Sequence, residues 1–202
     1  MLKNKTTPLL AIIVLMLAAG CAKYKPKPLP NVMRNTEKST HVDAYAYTMT
    51  RSECEKTFSR NAKKHGLQAV HLTLANNTNQ ALLLQGKNIS VDMEDRTVVA
   101  ETLKIDVAHR TLSWAVPGLI LGGLLFIPAV YEYFASTTAN KALIGDFNRR
   151  VIDSDSRCTI EPGQTLSKVF FIPVDSLQTE LSITLLNEKN DKAETINVVL
   201  QR

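Results

Sequence analysis

Apolar and polar residues alternate along much of this chain, and the alternation fails in one long stretch. Residues 44–50 set Tyr45, Tyr47 and Met49 on one face against Ala46 and Thr48 on the other, which predicts a strand. Residues 68–75 repeat the pattern, with Val70, Leu72 and Leu74 opposite His71 and Thr73. After an Asn-rich turn at 76–79, residues 81–84 and 88–91 read as strand pieces broken by Gly86. Further on, 157–160 and 166–174 flank Glu161-Pro162-Gly163-Gln164, where Pro followed by Gly suits a type II turn. Val169 to Ile172 are apolar on both faces, as in a covered strand. Leu181, Ile183 and Leu185 alternate, as do Ile196, Val198 and Leu200, and the polar residues 187–194 join them as a hairpin.

Two stretches carry a helical period instead. Ser52-Glu53-Cys54-Glu55 reads as a capping box, followed by an apolar stripe of Cys54, Phe58 and Ala62 that Gly66 is placed to end. Within 92–110, Val99, Leu103 and Val107 share a face, with acidic residues early and His109 and Arg110 late. Residues 137–155 are polar and irregular, and no element is assigned to them. Together these predict a mainly β fold with inserted helices, a β-sandwich interrupted by an apolar helical hairpin. The strand–Asn-turn–strand run around 68–91 resembles immunoglobulin-like periplasmic modules, a likeness that implies a fold and no activity.

The break is 111–131, bounded by Arg110 and Glu132 with no charge between them. Its burial decides much of the functional reading. Trp114 and Tyr131 stand at its ends like interfacial anchors, and Gly118 with Gly122 form a close-approach motif, as in a membrane span. Pro117 can start a helix, whereas Pro128 and the Gly122-Gly123 pair oppose a straight one. A bent hairpin fits these better: 114–121, a turn at the glycines, then 124–134. Such a hairpin dips into lipid or meets a partner, through Trp114, Leu119, Ile120, Leu121, Leu124, Leu125, Phe126, Ile127 and Tyr131. Packing inside the domain is the third reading.

Charge is unevenly placed over the 202 residues. The formal charge is +5, but residues 22–40 carry Lys23, Lys25, Lys27, Arg34 and Lys38 against Glu37, and Lys3 and Lys5 precede them. The remainder is close to neutral, so nucleic-acid binding loses its main support. Lys3 and Lys5 head an apolar run from Pro8 to Leu17 that is too short to span a bilayer. Leu17-Ala18-Ala19-Gly20-Cys21 follows and resembles the lipobox of bacterial lipoproteins. That resemblance implies a signal peptide over 1–20, acylation of Cys21 and a membrane anchor. Ala22 after the cysteine implies the outer membrane rather than the inner. Residues 21–41, with Lys-Pro-Lys-Pro-Leu-Pro at 25–30, then read as a basic, extended tether, and 42–202 as one β-rich domain with an apolar insertion at 111–135.

With Cys21 assigned to the lipobox, Cys54 and Cys158 remain, and an oxidising envelope favours a Cys54–Cys158 disulfide over two free thiols. Such a bridge excludes a single span between them. His41 with Asp43, and Asp153 with Asp155, are formal metal-ligand candidates that read better as solvated loop residues; a Cys54–His65 nucleophile pair fares no better. No HExxH, G-x-S-x-G or phosphate loop is present. No catalytic residue, metal or cofactor is therefore expected. The expected role is a non-enzymatic binding or assembly module, anchored to the membrane through acylated Cys21 and meeting an envelope protein or a second copy of itself. A membrane-active or lipid-handling protein is the alternative, and an enzyme of unknown type the third reading.

Overall fold

Seven strands and four helices follow one another in the computed structural model, which describes residues 24–30, 41–120, 126–187 and 192–201. The order is β1 (Val42–Thr48), α1 (Arg51–Phe58), β2 (Leu67–Asn76), β3 (Leu82–Ile89), α2 (Arg96–Leu103), α3 (Val107–Ile120), α4 (Phe126–Arg150), β4 (Arg157–Ile160), β5 (Thr165–Pro173), β6 (Glu180–Asn187) and β7 (Ala193–Gln201). The chain divides into two compact units: residues 104–143 with Tyr24, and residues 25–103 with 144 onward.

The second unit holds all seven strands in one mixed sheet of order β4-β3-β6-β7-β1-β2-β5. Its pairings fall into two antiparallel groups, β1–β2–β5 and β4–β3–β6–β7. A short parallel contact, Ala46 with Leu200 and Tyr47 with Gln201, joins them. β4 and β5 end the strand order on opposite sides, yet only residues 161–164 separate them in sequence. The five residue steps from Ile160 to Thr165 reach at most about 18 Å, so the sheet has to curl until its ends nearly meet. The fold is thus mainly β with inserted helices, in a nearly closed, barrel-like sheet. The 161–164 turn forms as expected: the Gln164 amide donates to the Glu161 carbonyl at 2.9 Å, and Gly163 takes φ +75°.

The inner face carries one apolar core, to which every strand contributes: Ala46, Leu72, Leu84, Ile160, Phe170, Ile183 and Leu200 among others. β1 turns its small residues inward, so Tyr45 and Tyr47 lie on the opposite face. β2 is buried on both faces along its whole length. The reason is a second cluster outside the barrel, where Phe58 of α1, Phe147 near the end of α4 and Phe171 of β5 meet with ring centroids 5.1–5.7 Å apart.

The capping box lies two residues earlier than expected. Thr50 accepts from the Glu53 amide at 3.3 Å, Glu53 accepts from the Thr50 amide at 2.7 Å, and α1 begins at Arg51. Cys54, Phe58 and Ala62 are buried as the stripe predicts. Ser59 interrupts that helix at φ 55°, and Gly66 closes a separate 3-10 turn, Ala62–His65. The helical period within 92–110 is also split, at 104–106.

The Pro-rich segment expected as an extended tether is held at two points. Lys27 donates its amide to the Lys56 carbonyl at 3.1 Å, and Lys25 donates to Ser59 Oγ at 3.3 Å. Arg150 donates to the Lys27 carbonyl at 2.6 Å. Both lysine amides thus find partners on or just after α1, where an extended strap serves better than a solvated coil. The lipobox and the rest of the tether, 31–40, lie outside the described residues.

Candidate functional site

The first unit is built on α3 and α4. Asp106 starts α3 by accepting from the His109 amide at 2.9 Å. α4 begins at Phe126, which puts Pro128 in the first turn, where no intrahelical partner is lost. Pro117, a residue that can start a helix, lies inside α3. The glycine pair falls in 121–125, outside the described residues.

Two sets of contacts order the helices. Asn140 of α4 grips residue 105 through both of its polar atoms: Nδ2 donates to the Ile105 carbonyl at 2.9 Å and Oδ1 accepts from the Ile105 amide at 2.8 Å. Arg110 pairs with Glu132 at 3.1 Å. Position 105 meets 140 and position 110 meets 132, so α3 and α4 run antiparallel as a hairpin. Among the described residues no helix is long and apolar enough to cross a membrane.

The polarity of this hairpin is inverted. The Glu132 carboxylate is 4% exposed, hydrogen-bonded by Ser136 at 3.3 Å and paired with Arg110. Ala129, Glu132, Ser136, Ala139, Asn140 and Leu143 form the buried stripe of α4 at helical spacing. The large apolar side chains point outward instead: Leu112, Val116 and Leu119 on α3, and Ile127, Val130, Tyr131, Tyr133 and Phe134 on α4. Leu119 is 73% exposed and Ile127 64%. Burying a charge costs free energy unless it is paired, and large exposed apolar patches are where proteins commonly make contacts.

Of the residues expected to make contact, Leu119, Ile127 and Tyr131 are on that outer surface, and Trp114 is half-buried on α3. Ile120 ends α3 and Phe126 opens α4, while Leu121, Leu124 and Leu125 lie outside the described residues. The pattern missed Leu112, Val116, Val130, Tyr133 and Phe134, and it missed the Arg110–Glu132 pair. The signal for that pair was present. Two opposite charges bound the uncharged run on either side of a glycine pair, as the mouth of a hairpin requires.

A second place gathers polar groups on the outside of the barrel. His71 of β2, fully buried, has Nε2 2.6 Å from Ser167 Oγ on β5. Tyr47 stands edge-on to the His71 ring at 5.3 Å. Tyr47 Oη, His71 Nδ1 and Thr73 Oγ1 have no hydrogen-bond partner among the described protein atoms. Burial holds the His71 pKa below its ordinary value, with the Glu53 carboxylate opposing. Burial, then Glu53, pushes the Tyr47 hydroxyl up to about 12. Ser167, Thr73, Thr165, Arg150 and residues 28–30 line an adjoining cavity of about 410 Å³. A neutral histidine bonded to a serine could take its proton. No carboxylate bonds Nδ1 to orient the ring, and Arg150 is occupied by Asp146 at 2.8 Å and by Lys27.

Cys54 and Cys158 are both free thiols, which corrects the expected disulfide. Cys158, on β4, packs against the inner core, whereas Cys54 lies on α1, whose Phe58 packs outside β5. The sheet lies between them. Burial first, then Glu53, pushes the Cys54 thiol up to about 12, with Lys63 opposing, so it is no nucleophile for His65. Asp153 is taken up by Arg96 at 3.3 Å and by Ser156, and Asp43 accepts from Asn77 at 2.8 Å. Among the described residues no group of three or more His, Cys, Asp or Glu gathers to hold a metal. Compared with protein-family models, curated proteins and solved structures, the chain matches none.

Proposed function

We propose that this is a lipid-anchored protein of the bacterial cell envelope, acylated at Cys21 and favouring the outer membrane, which acts as a non-enzymatic binding or assembly module. One observation carries the module reading: a hairpin that buries the Glu132 carboxylate and leaves large apolar side chains such as Leu119 and Ile127 exposed. A chain has no reason of its own stability to expose Leu119 and Ile127 while burying Glu132. The anchor rests on the sequence of residues 1–21. The finer fold reading belongs here too. Strand groups β1–β2–β5 and β4–β3–β6–β7, with the first strand touching the last, favour an immunoglobulin-like sandwich with α2, α3 and α4 inserted between its third and fourth strands. The Ser167–His71 pair is the best observation for an enzyme, and its unoriented ring makes the module the better reading.

Two experiments test this. Cys21→Ser should abolish palmitate incorporation in cells, and retained labelling would refute the anchor. A photo-crosslinking residue at position 119 should give adducts in the envelope that one at the exposed polar position 138 does not. Equal yields at both would remove the hairpin as the contact surface.

A further inference from the structure

We infer that the hairpin's partner is lipid, and that α3 and α4 enter a single leaflet of the bilayer as a wedge. This rests on the module reading above and names what its surface meets. The first ground is depth. From Arg110 to the end of α3 at Ile120, ten residue steps at 1.5 Å give about 15 Å. Half of a hydrocarbon core of ~30 Å is the same length. The described part of α3 beyond Arg110 is therefore long enough to reach the midplane and too short to cross.

The second ground is the sorting of charge with depth. No Asp, Glu, Lys or Arg lies between Arg110 and Glu132. Those two residues pair with each other at the mouth, where the wedge would leave the hydrocarbon. The buried face of α4 within the hairpin satisfies itself, Ser136 with Glu132 and Asn140 with Ile105. A protein partner needs polar groups around the rim of its contact, whereas lipid needs apolar side chains on every outward position. Between Arg110 and Glu132 the exposed Leu112, Val116, Leu119, Ile127 and Val130 are apolar, and the exposed Ser113 turns its hydroxyl back to the Arg110 carbonyl at 2.7 Å.

The third ground is the aromatic level. Trp114 is one turn deeper than Arg110, and Tyr131 and Tyr133 flank Glu132, so the aromatic residues gather near the charged mouth, as interfacial belts do. The strap gives the geometry of a second anchor. Lys25 is bonded to Ser59, and the four residues back to Cys21 reach at most about 14 Å. An acylated Cys21 would hold the β unit against the membrane surface rather than far above it.

Trp114 is the single tryptophan, which makes depth measurable. The probe is the mature chain carrying Cys21→Ser, mixed with vesicles of phosphatidylethanolamine and a minority of phosphatidylglycerol, with bromine placed at successive depths along the acyl chain. Shallow bromines should quench Trp114 best. In Trp114→Phe/Leu119→Trp, the deep bromines should quench best, because position 119 is about 7.5 Å further along the helix. Leu119→Glu should weaken vesicle binding at least tenfold and leave the far-ultraviolet spectrum unchanged. Absence of quenching at both positions would overturn the inference, whether the protein stays monomeric or self-associates. Because this protein has no acyl chain, that failure leaves the anchor intact. Failure of palmitate labelling would sink the anchor alone.

Discussion

Gly86 of β3 shows how closely single residues are fitted. A Cβ built there would stand 1.8 Å from the Asp153 carbonyl oxygen. The Gly86 and Lys87 amides donate to Ser156 and Ser154, so that backbone cannot move away. Gly86→Ala should lose about 3 kcal/mol, read as a lower urea midpoint. His71 makes stability depend on pH. The unfolded chain takes up a proton as pH falls through about 6.5, whereas the folded protein, with its pKa lowered by burial, does so only further down. The unfolded state therefore binds more protons in that window, and stability falls with pH until the folded pKa is passed. His71→Gln should flatten this slope in thermal melts between about pH 7.5 and pH 5. The thiols give a third outcome. With Cys21→Ser and no reductant, Cys158 should alkylate in the native protein and Cys54 only on unfolding, because its thiol is held at about 12. Failure of both to label when unfolded would restore the bridge. At this scale the sequence was a poor guide to faces. His71 and Thr73 read as the polar side of a strand, yet both are buried, because α1 and the end of α4 cover that side, and no local pattern announces a distant cover.

Among the elements, the hairpin depends most on one contact. Arg110→Ala would leave the Glu132 carboxylate buried with Ser136 as its one remaining hydrogen-bond partner shown. Losing the partner of a buried polar group costs about 1–3 kcal/mol. Amide exchange in α3 and α4 should quicken accordingly while the strands keep their protection, and equal acceleration in both would mean that the pair does not hold the hairpin. Most strands could be read from alternation, as Leu181, Ile183 and Leu185 illustrate, and the break at 111–131 did mark the hairpin. The length of α4 could not be read. Amphipathic reading assumes apolar residues inside, and α4 buries Glu132, Ser136, Asn140 and Asp146, so residues 137–155 looked structureless. The split between α2 and α3 was hidden for another reason: the group that holds Ile105 is Asn140, far away in sequence.

For the molecule as a whole, closure of the sheet converges on Asn76. Its backbone exchanges bonds with Gly163 and Gln164, and its side chain donates to the Gln80 and Ile160 carbonyls at 2.7 and 2.8 Å. It thus ties the end of β2 to the turn that brings β4 and β5 together. Asn76→Ala should cost at least about 1–3 kcal/mol for each carbonyl left dry, with strands from both antiparallel groups losing exchange protection together. Loss confined to β2 would show that the sheet does not close as one. The pairing of β1 with β7 carries a further consequence, for the order in which the protein is made. Among the described residues β1 pairs with that neighbour at Leu200 and Gln201, so a growing chain makes its apolar hairpin before the first strand has its last partner. The hairpin of α3 and α4 can therefore form before the sheet closes, and a chain stopped a few residues short would be left with one side of β1 still open.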